Sequence, residues 1–396
     1  MIPQRFKDHW QTDRARLTVI AALSAMVAIN QVGTGILFAL IPVKLAADGY
    51  PASAAGIIST AFSIGFITGC LIAPRIILAL GSNRAPVALA LFNASLALLH
   101  WMFPGPWTWA LLRGIAGLST ASYFVLVESW LAEQSTQANR GIVFGIYMVM
   151  NRAAFAFGQI LLALANPADL TWLFLFAAVA YLLAPLARPR GAHGPPPMTP
   201  PSLQSYFDLP RHAPAAAAGA LMHGLVFTAG PGLLPKWGVD VGVTVSTIAM
   251  ALFALQMGGL ILQLPISFAS DKLDRRIIMA FSAIMTAAAA LLISTLEPGQ
   301  GALWFLAILV FGGFSSSLYS LSAAHANDLA GPERRVAWVS SLMLIWGTGS
   351  AIGPMAASLL MDWRGSQILW TYAMVVSLAG AVFLMWRKAI RPARRK

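Results

Sequence analysis

The apolar residues of this 396-residue chain fall into twelve stretches, each long enough to cross a bilayer, and the last six echo the first six. No other feature narrows the fold as much. A hydrocarbon core of roughly 30 Å takes about 20 residues of helix, and inside it every backbone polar group must be satisfied internally. Hydrophobic residues make up 58% of the chain and charged ones 10%, against roughly 25% charged in soluble domains. A soluble fold of this length could not cover so much apolar surface. The pattern predicts an all-α membrane protein with 12 transmembrane helices in two six-helix parallel repeats.

Apolar runs between polar breaks place the spans at 17–43, 52–74, 85–103, 107–132, 141–165, 169–187, 214–235, 244–268, 277–295, 301–326, 336–360 and 367–386. Asp48-Gly49, Pro104-Gly105-Pro106, Asn166-Pro167, Glu297-Pro298-Gly299 and Asp362 mark the reversals, because Pro and Gly end helices. The longest polar break is rich in Pro and Gly and unsuited to helix. It reads as a flexible linker over 188–211, between an N-terminal half (1–187) and a C-terminal half (212–396). Arg5, Lys7, Arg14 and Arg16 precede the first span without a small-residue cleavage site, which argues against a removed signal peptide.

The 26 Lys and Arg residues orient the bundle. Only Lys44, Lys236 and Arg364 fall on the side opposite the termini, and Arg113 and Arg152 lie within spans. All the others are on the termini side, so the positive-inside rule places both termini in the cytoplasm. The net charge of +12 follows from that bias. Nucleic-acid binding could also suit a basic chain, but these charges sit on alternate loops and form no patch, so no nucleic-acid partner is expected. The single cysteine, Cys70, lies inside a span. It forms no disulfide framework and no paired-ligand metal site, and no metal or cofactor is expected.

The two halves align at a nearly constant offset. Pro42, Gly65 and Gly81 face Pro235, Gly258 and Asp274 at a shift of 193; Gly117, Glu133, Arg140 and Gly158 face Gly312, Asp328, Arg335 and Gly353 at 195. Six crossings return the chain to its starting side. The repeats are therefore parallel, related by an axis along the membrane normal, with a solute site expected between them near mid-depth.

Several segments now resemble the major facilitator superfamily over nearly the whole chain. Ser270-Asp271-Lys272-Leu273-Asp274-Arg275-Arg276 is similar to that family's loop signature. The resemblance implies a conformational latch, in which the Asp271 carboxylate meets a neighbouring helix end and pairs with Arg, supported by Asp274, Arg275 and Arg276. The equivalent first-half loop has Leu78 at the Asp position, so the latch is expected to be unequal. Arg113-Gly114-Ile115-Ala116-Gly117 is similar to the family's intramembrane Arg motif, often associated with proton coupling. Gly349, Gly353 and Pro354 form a small-residue element that permits close packing and bending. Family exporters often carry such a Gly-Pro element in helix 5, where this chain has Gly158-Gln159 without the Pro; direction stays open. Glu128-Ser129-Trp130-Leu131, Arg140-Gly141, Gly145-Ile146-Tyr147-Met148, Gly158-Gln159 and Ala73-Pro74-Arg75 resemble the YcaD-type branch of bacterial facilitators. That resemblance implies a multi-pass protein of the bacterial cytoplasmic (inner) membrane, and a monomer is expected.

Three ionisable residues lie within first-half spans: Arg113, Glu128 and Arg152, with repeat-mates Ile308, Ala323 and Gly347. A charge at helix centre costs at least ~2.5–3.5 kcal/mol, so it normally faces a partner or a wet cavity. Arg113 and Glu128 are too far apart along one helix to pair, roughly 22 Å. Arg152 and Gln159 share a face of helix 5, and a long guanidinium at 152 can reach toward Glu128. Two readings stay open, a structural ion pair and a cavity with one acid and excess positive charge. Asn30 and Gln31, His223 and Thr228, Gln256 and Gln263, and Tyr319 and His325 complete the polar inventory. Gly230-Pro231-Gly232 is expected to break helix 7 near its outer end and act as a gating hinge.

These features predict a secondary transporter that moves a small organic solute, preferably anionic or zwitterionic, by alternating access with H+ coupled at Glu128. No phosphate-cradling Gly-x-x-x-x-Gly-Lys-Ser/Thr loop is present, so energy from bound ATP is not expected. A broad-specificity efflux antiporter and a non-transporting sensor or scaffold are the alternatives. A membrane-embedded enzyme is disfavoured, because no Ser/His/Asp or metal-ligand cluster appears.

Overall fold

The computed structural model describes residues 4–390 apart from 82, 136–139, 167–168, 190–203 and 331–334. Most of the expected linker and the basic tail Arg391 to Lys396 therefore lie outside the described residues. The helices are α1 (Gln4–Ala47), α2 (Ala52–Leu80), α3 (Ala85–Met102), α4 (Pro106–Gln134), α5 (Arg140–Ile160), α6 (Thr171–Leu183), α7 (Gln204–His212), α8 (Pro214–Phe227), α9 (Ala229–Asp240), α10 (Val245–Lys272), α11 (Arg275–Thr295), α12 (Gly301–Leu329), α13 (Arg335–Arg364) and α14 (Ile368–Ile390). Short 3-10 turns extend α5 over Leu161–Leu164 and α6 over Ala184–Ala187. Among the described residues, eleven segments are long and apolar enough to cross a membrane, with α8 and α9 counted together; Thr171–Ala187 is a shorter apolar helix.

The structure corrects two readings. Residues 204–212, overlapping the end of the expected non-helical linker, form α7, and Leu209 is fully buried against a cluster that includes Trp338 and Leu342. The break in the seventh crossing falls at Thr228, near the middle of the 214–240 span rather than at its outer end. Pro231 has no N–H to give the Phe227 carbonyl, so the ladder fails one turn before it. The apolar run then carries helix on to Asp240, and the Thr228 carbonyl is taken by the Gly232 N–H at 3.2 Å.

The repeat is visible in how the helices touch. A Cβ on Gly158 would overlap the Val32 carbonyl, where α5 crosses α1; on its mate Gly353 it would overlap the Leu225 carbonyl, where α13 crosses α8. Gly65 meets the Gly114 carbonyl between α2 and α4, and its mate Gly258 meets the Leu309 carbonyl between α10 and α12. Such crossings need small residues because apolar lipid gives helices no hydrophobic drive to associate; close backbone packing replaces it. Gly349 abuts the Leu221 carbonyl in the same way, and Pro354 continues α13 beside Gly56 of α2.

Among the described residues, the buried apolar side chains form three clusters. The largest joins both halves: its N-terminal-half members lie toward the side away from the termini, while its C-terminal-half members run through the depth of that half. The other two lie toward the termini, one wholly in the N-terminal half around Tyr123, Trp130 and Tyr147, the other wholly in the C-terminal half around Leu209 and Trp338. The halves are thus joined on the far side, and among the described residues no buried apolar cluster spans them on the termini side. Hydrogen bonds across the seam fit this: the Thr60 hydroxyl donates to the Ala351 carbonyl at 2.6 Å and Ser63 to the Ser350 carbonyl at 3.0 Å. One to two turns further toward the termini, Phe66 meets Trp346 with ring centroids 5.9 Å apart, and Ile67 lies against Gly347.

Candidate functional site

Arg152 stands at the middle of the fifth crossing and points across the seam. A Cβ on Gly259 of α10 would overlap its Nη1, so the guanidinium rests on C-terminal-half backbone beside the Ser316 hydroxyl. That Nη1 is buried without a hydrogen-bond partner. Among the described residues no carboxylate pairs with Arg152.

Glu128 lies elsewhere. Its Oε1 accepts the Tyr147 hydroxyl at 3.1 Å, within the N-terminal half. The expected reach of Arg152 to Glu128 does not occur. Tyr147 and Arg152 are five positions apart on α5, which turns their side chains by about 140°. The face that offers Tyr147 to α4 therefore sends Arg152 toward α10.

Arg113 is 3% exposed, with its guanidinium carbon 4.5 Å from the Phe38 ring centroid and 4.4 Å from that of Phe62. Two aromatic faces take the place of a carboxylate, each cation–π contact worth about 0.5–2 kcal/mol. Nearby, the Thr34 hydroxyl donates to the Asn30 carbonyl at 3.2 Å and meets the Tyr181 hydroxyl at 3.2 Å. Buried amide atoms collect on α1 and α5. Asn30 Oδ1, Gln31 Oε1, Asn151 Oδ1 and both amide atoms of Gln159 make no hydrogen bond. Polar atoms buried in this way are costly unless a partner arrives.

In the second half, His223 Nδ1 lies 2.8 Å from the Ser315 carbonyl, so it carries the proton and donates. Its ring stacks on Phe227 at 4.8 Å and neighbours Tyr319 and Trp346 at 5.8 and 6.4 Å. Gln256 is buried on α10, three positions before Gly259. Gly230 packs on Phe311 and Gly232 faces Ser59 of the opposite half, so the Gly-Pro-Gly segment lies along the seam.

The loop signature is wired inside its own half. Asp271 pairs with Arg275 at 3.0 Å, Arg275 also reaches Asp328 at 2.6 Å, and Asp274 caps α11 through the Arg276 N–H at 2.9 Å. Leu78, at the equivalent place in the first half, is 70% exposed. Sequence reasoning does not single out Phe66 or Trp346. The one sequence signal near them is that Trp346 precedes Gly347, the repeat-mate of Arg152.

Two sets of crossings with matched packing glycines face each other across a central seam, and comparison with known proteins gives this arrangement a family. The profile of the Major Facilitator Superfamily matches residues 23–205 and 215–396. The chain belongs to the major facilitator superfamily. An uncharacterized MFS-type transporter of Enterobacter sp. (strain 638) is 26% identical, covering 88% of this chain and 90% of that protein. The uncharacterized MFS-type transporter YcaD of Escherichia fergusonii is 26% identical, covering 93% and 94%. Among solved structures, the nucleoside transporter NupG superposes with a TM-score of 0.74 at 13% identity, over 95% of this chain and 100% of that one. Its D323A mutant gives 0.73 at 11% identity, over 93% and 99%. At that identity the likeness speaks for the fold. As a major facilitator, the chain is a multi-pass membrane transporter and not an enzyme.

Proposed function

We propose that this facilitator moves a small organic solute by alternating access between its halves, with an anionic part of the solute bound at Arg152 and a proton exchanged at Glu128. One observation carries the reading: the Arg152 guanidinium sits at mid-depth on the seam with a buried, unpartnered Nη1. An unused cation there is costly. Duplication does not require it, because the repeat-mate is Gly347. A solute carboxylate or phosphate would complete it as a charge-assisted, fork-shaped pair. Glu128, toward the termini-side end of α4, is the one carboxylate among the three ionisable residues within the first-half spans, which supports it as the group that takes up and releases a proton.

With the termini in the bacterial cytoplasm, as the charge bias favours, the halves as described are joined on the outer side. The protein then works as a monomer through its own seam. The test uses proteoliposomes given a mixed pool of small organic acids, amino acids and amines, with contents read by mass spectrometry. Anions or zwitterions should accumulate or be expelled under an imposed pH gradient. Glu128→Gln should keep exchange of the same solutes and lose the pH-driven component. pH-driven flux that survives Glu128→Gln sinks the proton role, and flux confined to cations sinks the anion reading.

A further inference from the structure

The seam is asymmetric at the level of Phe66 and Trp346, and the asymmetry has a chemical shape. Phe66 on α2 meets Trp346 on α13. The pseudo-symmetric pair is α10 with α5, where the mate of Phe66 is Gly259 and the mate of Gly347 is Arg152. One side of the axis thus carries two rings. On the other, a missing side chain makes room for a guanidinium. Duplication explains neither, so packing inherited from a common half is not their cause.

The rings continue from Trp346 to Tyr319 at 6.0 Å and to His223, which stacks on Phe227. Phe66, Phe227, Tyr319 and Trp346 are only partly buried. By contrast, Trp109, Trp130, Trp237, Trp304, Trp370 and Phe311, which pack the interior, are fully buried. Aromatic faces left partly open, drawn from both halves and placed on the seam between them, form a surface for a flat ring. Trp346 Nε1 is buried without a hydrogen-bond partner, a second donor left over on the same wall. Arg152 approaches the Ser316 hydroxyl, and the preceding residue, Ser315, takes the His223 Nδ1–H of this wall on its carbonyl.

We propose that the solute is a flat aromatic anion, its ring received by Phe66, Trp346 and Tyr319 and its carboxylate held by Arg152. This rests on the anion reading of Arg152 and adds the ring. A guanidinium alone would take any small anion, and an aromatic wall alone any flat molecule; together they select for both properties.

The experiment measures binding of three probes to the purified full-length protein by isothermal titration: benzoate, cyclohexanecarboxylate of equal charge but no π-face, and the neutral benzamide. Benzoate should bind about five- to ten-fold tighter than cyclohexanecarboxylate, and tighter than benzamide. Trp346→Leu should remove the preference for benzoate over cyclohexanecarboxylate and keep that over benzamide; Arg152→Gln should do the reverse. Trp346→Phe retains a ring and should retain the first preference, which separates loss of the wall from loss of the fold. Equal binding of the two carboxylates, both above benzamide, overturns the aromatic class and leaves the anion site standing. Carboxylates no better than benzamide overturn the anion reading itself. Failure of all three to bind at millimolar concentration overturns both.

Discussion

Asp362, near the end of α13, caps α2 of the opposite half: its Oδ1 accepts the Ala52 N–H at 2.7 Å and its Oδ2 the Ser53 N–H at 3.0 Å. The α2 helix begins after Pro51, which offers no side-chain cap of its own. The first N–H groups of a helix are unsatisfied and carry partial positive charge, so a carboxylate from the other half meets both needs. The contact exists only while the far side is closed. Opening that side must break it.

Removing this carboxylate should therefore favour the far-open state. An N-cap is worth about 1–2 kcal/mol, roughly a five- to thirty-fold change in a population ratio. In a Cys70→Ser background, spin labels at positions 48 and 364 should report a larger population of long distances in Asp362→Ala than in the parent. An unchanged distance distribution would show that the cap carries no share of the closure.

Arg152 and Glu128 face different partners, so their substitutions should not compensate. Arg152→Met and Glu128→Gln should have independent effects on unfolding temperature, additive within about 0.3–0.5 kcal/mol as for separated sites. Lysine at 152 keeps charge but loses the planar fork, and should bind benzoate more weakly than the parent. Mutual rescue of stability and transport in the double variant would restore the ion-pair reading and overturn both roles.

The close crossings should be intolerant in matched pairs. Gly158→Ala and Gly353→Ala each push a methyl into a backbone carbonyl of the neighbouring helix, whereas Gly145 on the same α5 has nothing near a Cβ. Overpacking of this kind costs about 1–3 kcal/mol. Detergent-solubilised Gly158→Ala and Gly353→Ala should unfold at clearly lower temperature, and Gly145→Ala at the parent's. Equal behaviour of all three would mean that these crossings relax freely.

The fold is legible in the sequence because membrane helices must be apolar and closed on themselves, and because Gly65, Gly158 and their mates recur at a nearly constant shift for a packing reason. The site is half legible. Arg152 and Glu128 stand out as charges where charge is costly, but their supposed pairing depends on which face of α5 each neighbour meets, and no helical period reveals that. Phe66 and Trp346 are hidden among other apolar residues, since aromaticity in a span does not tell a cavity wall from a core. The helix at 204–212 escapes a reading of local pattern because Leu209 is buried by tertiary contact while its surroundings in sequence are polar and carry Pro210.

Topology has a direct check. Single cysteines at positions 83 and 388 should be reached only by permeant maleimide in whole cells, and one at position 300 by impermeant maleimide, all in a Cys70→Ser background. Positions 83, 300 and 388 sit beyond or near helix ends, on opposite sides by the order of crossings. Labelling of 388 by the impermeant reagent would invert the bundle.

The signature loop separates stability from conformational control at two neighbouring carboxylates. Hydrogen bonds from Arg276, its guanidinium at 2.7 Å and its N–H at 2.9 Å, hold the Asp274 carboxyl below the usual carboxylate range. Its folded value is then lower than the roughly 3.9 of an unfolded chain, so the stabilisation is complete above that pH and lost as pH falls through the folded value. Asp274→Asn should unfold at lower temperature than the parent at neutral pH, with the gap closing below about pH 4. Asp271 differs: it is 62% exposed in its pair with Arg275, and exposed pairs contribute about 0–1 kcal/mol. Asp271→Asn should leave the unfolding temperature within about a degree or two yet slow transport far more than Leu78→Asn does. Such a loss without destabilisation would place Asp271 in the state where the halves meet on the termini side, which is the state this structure does not occupy. Equal and mild effects at 78 and 271 would reduce the loop to a device for orienting the chain in the membrane.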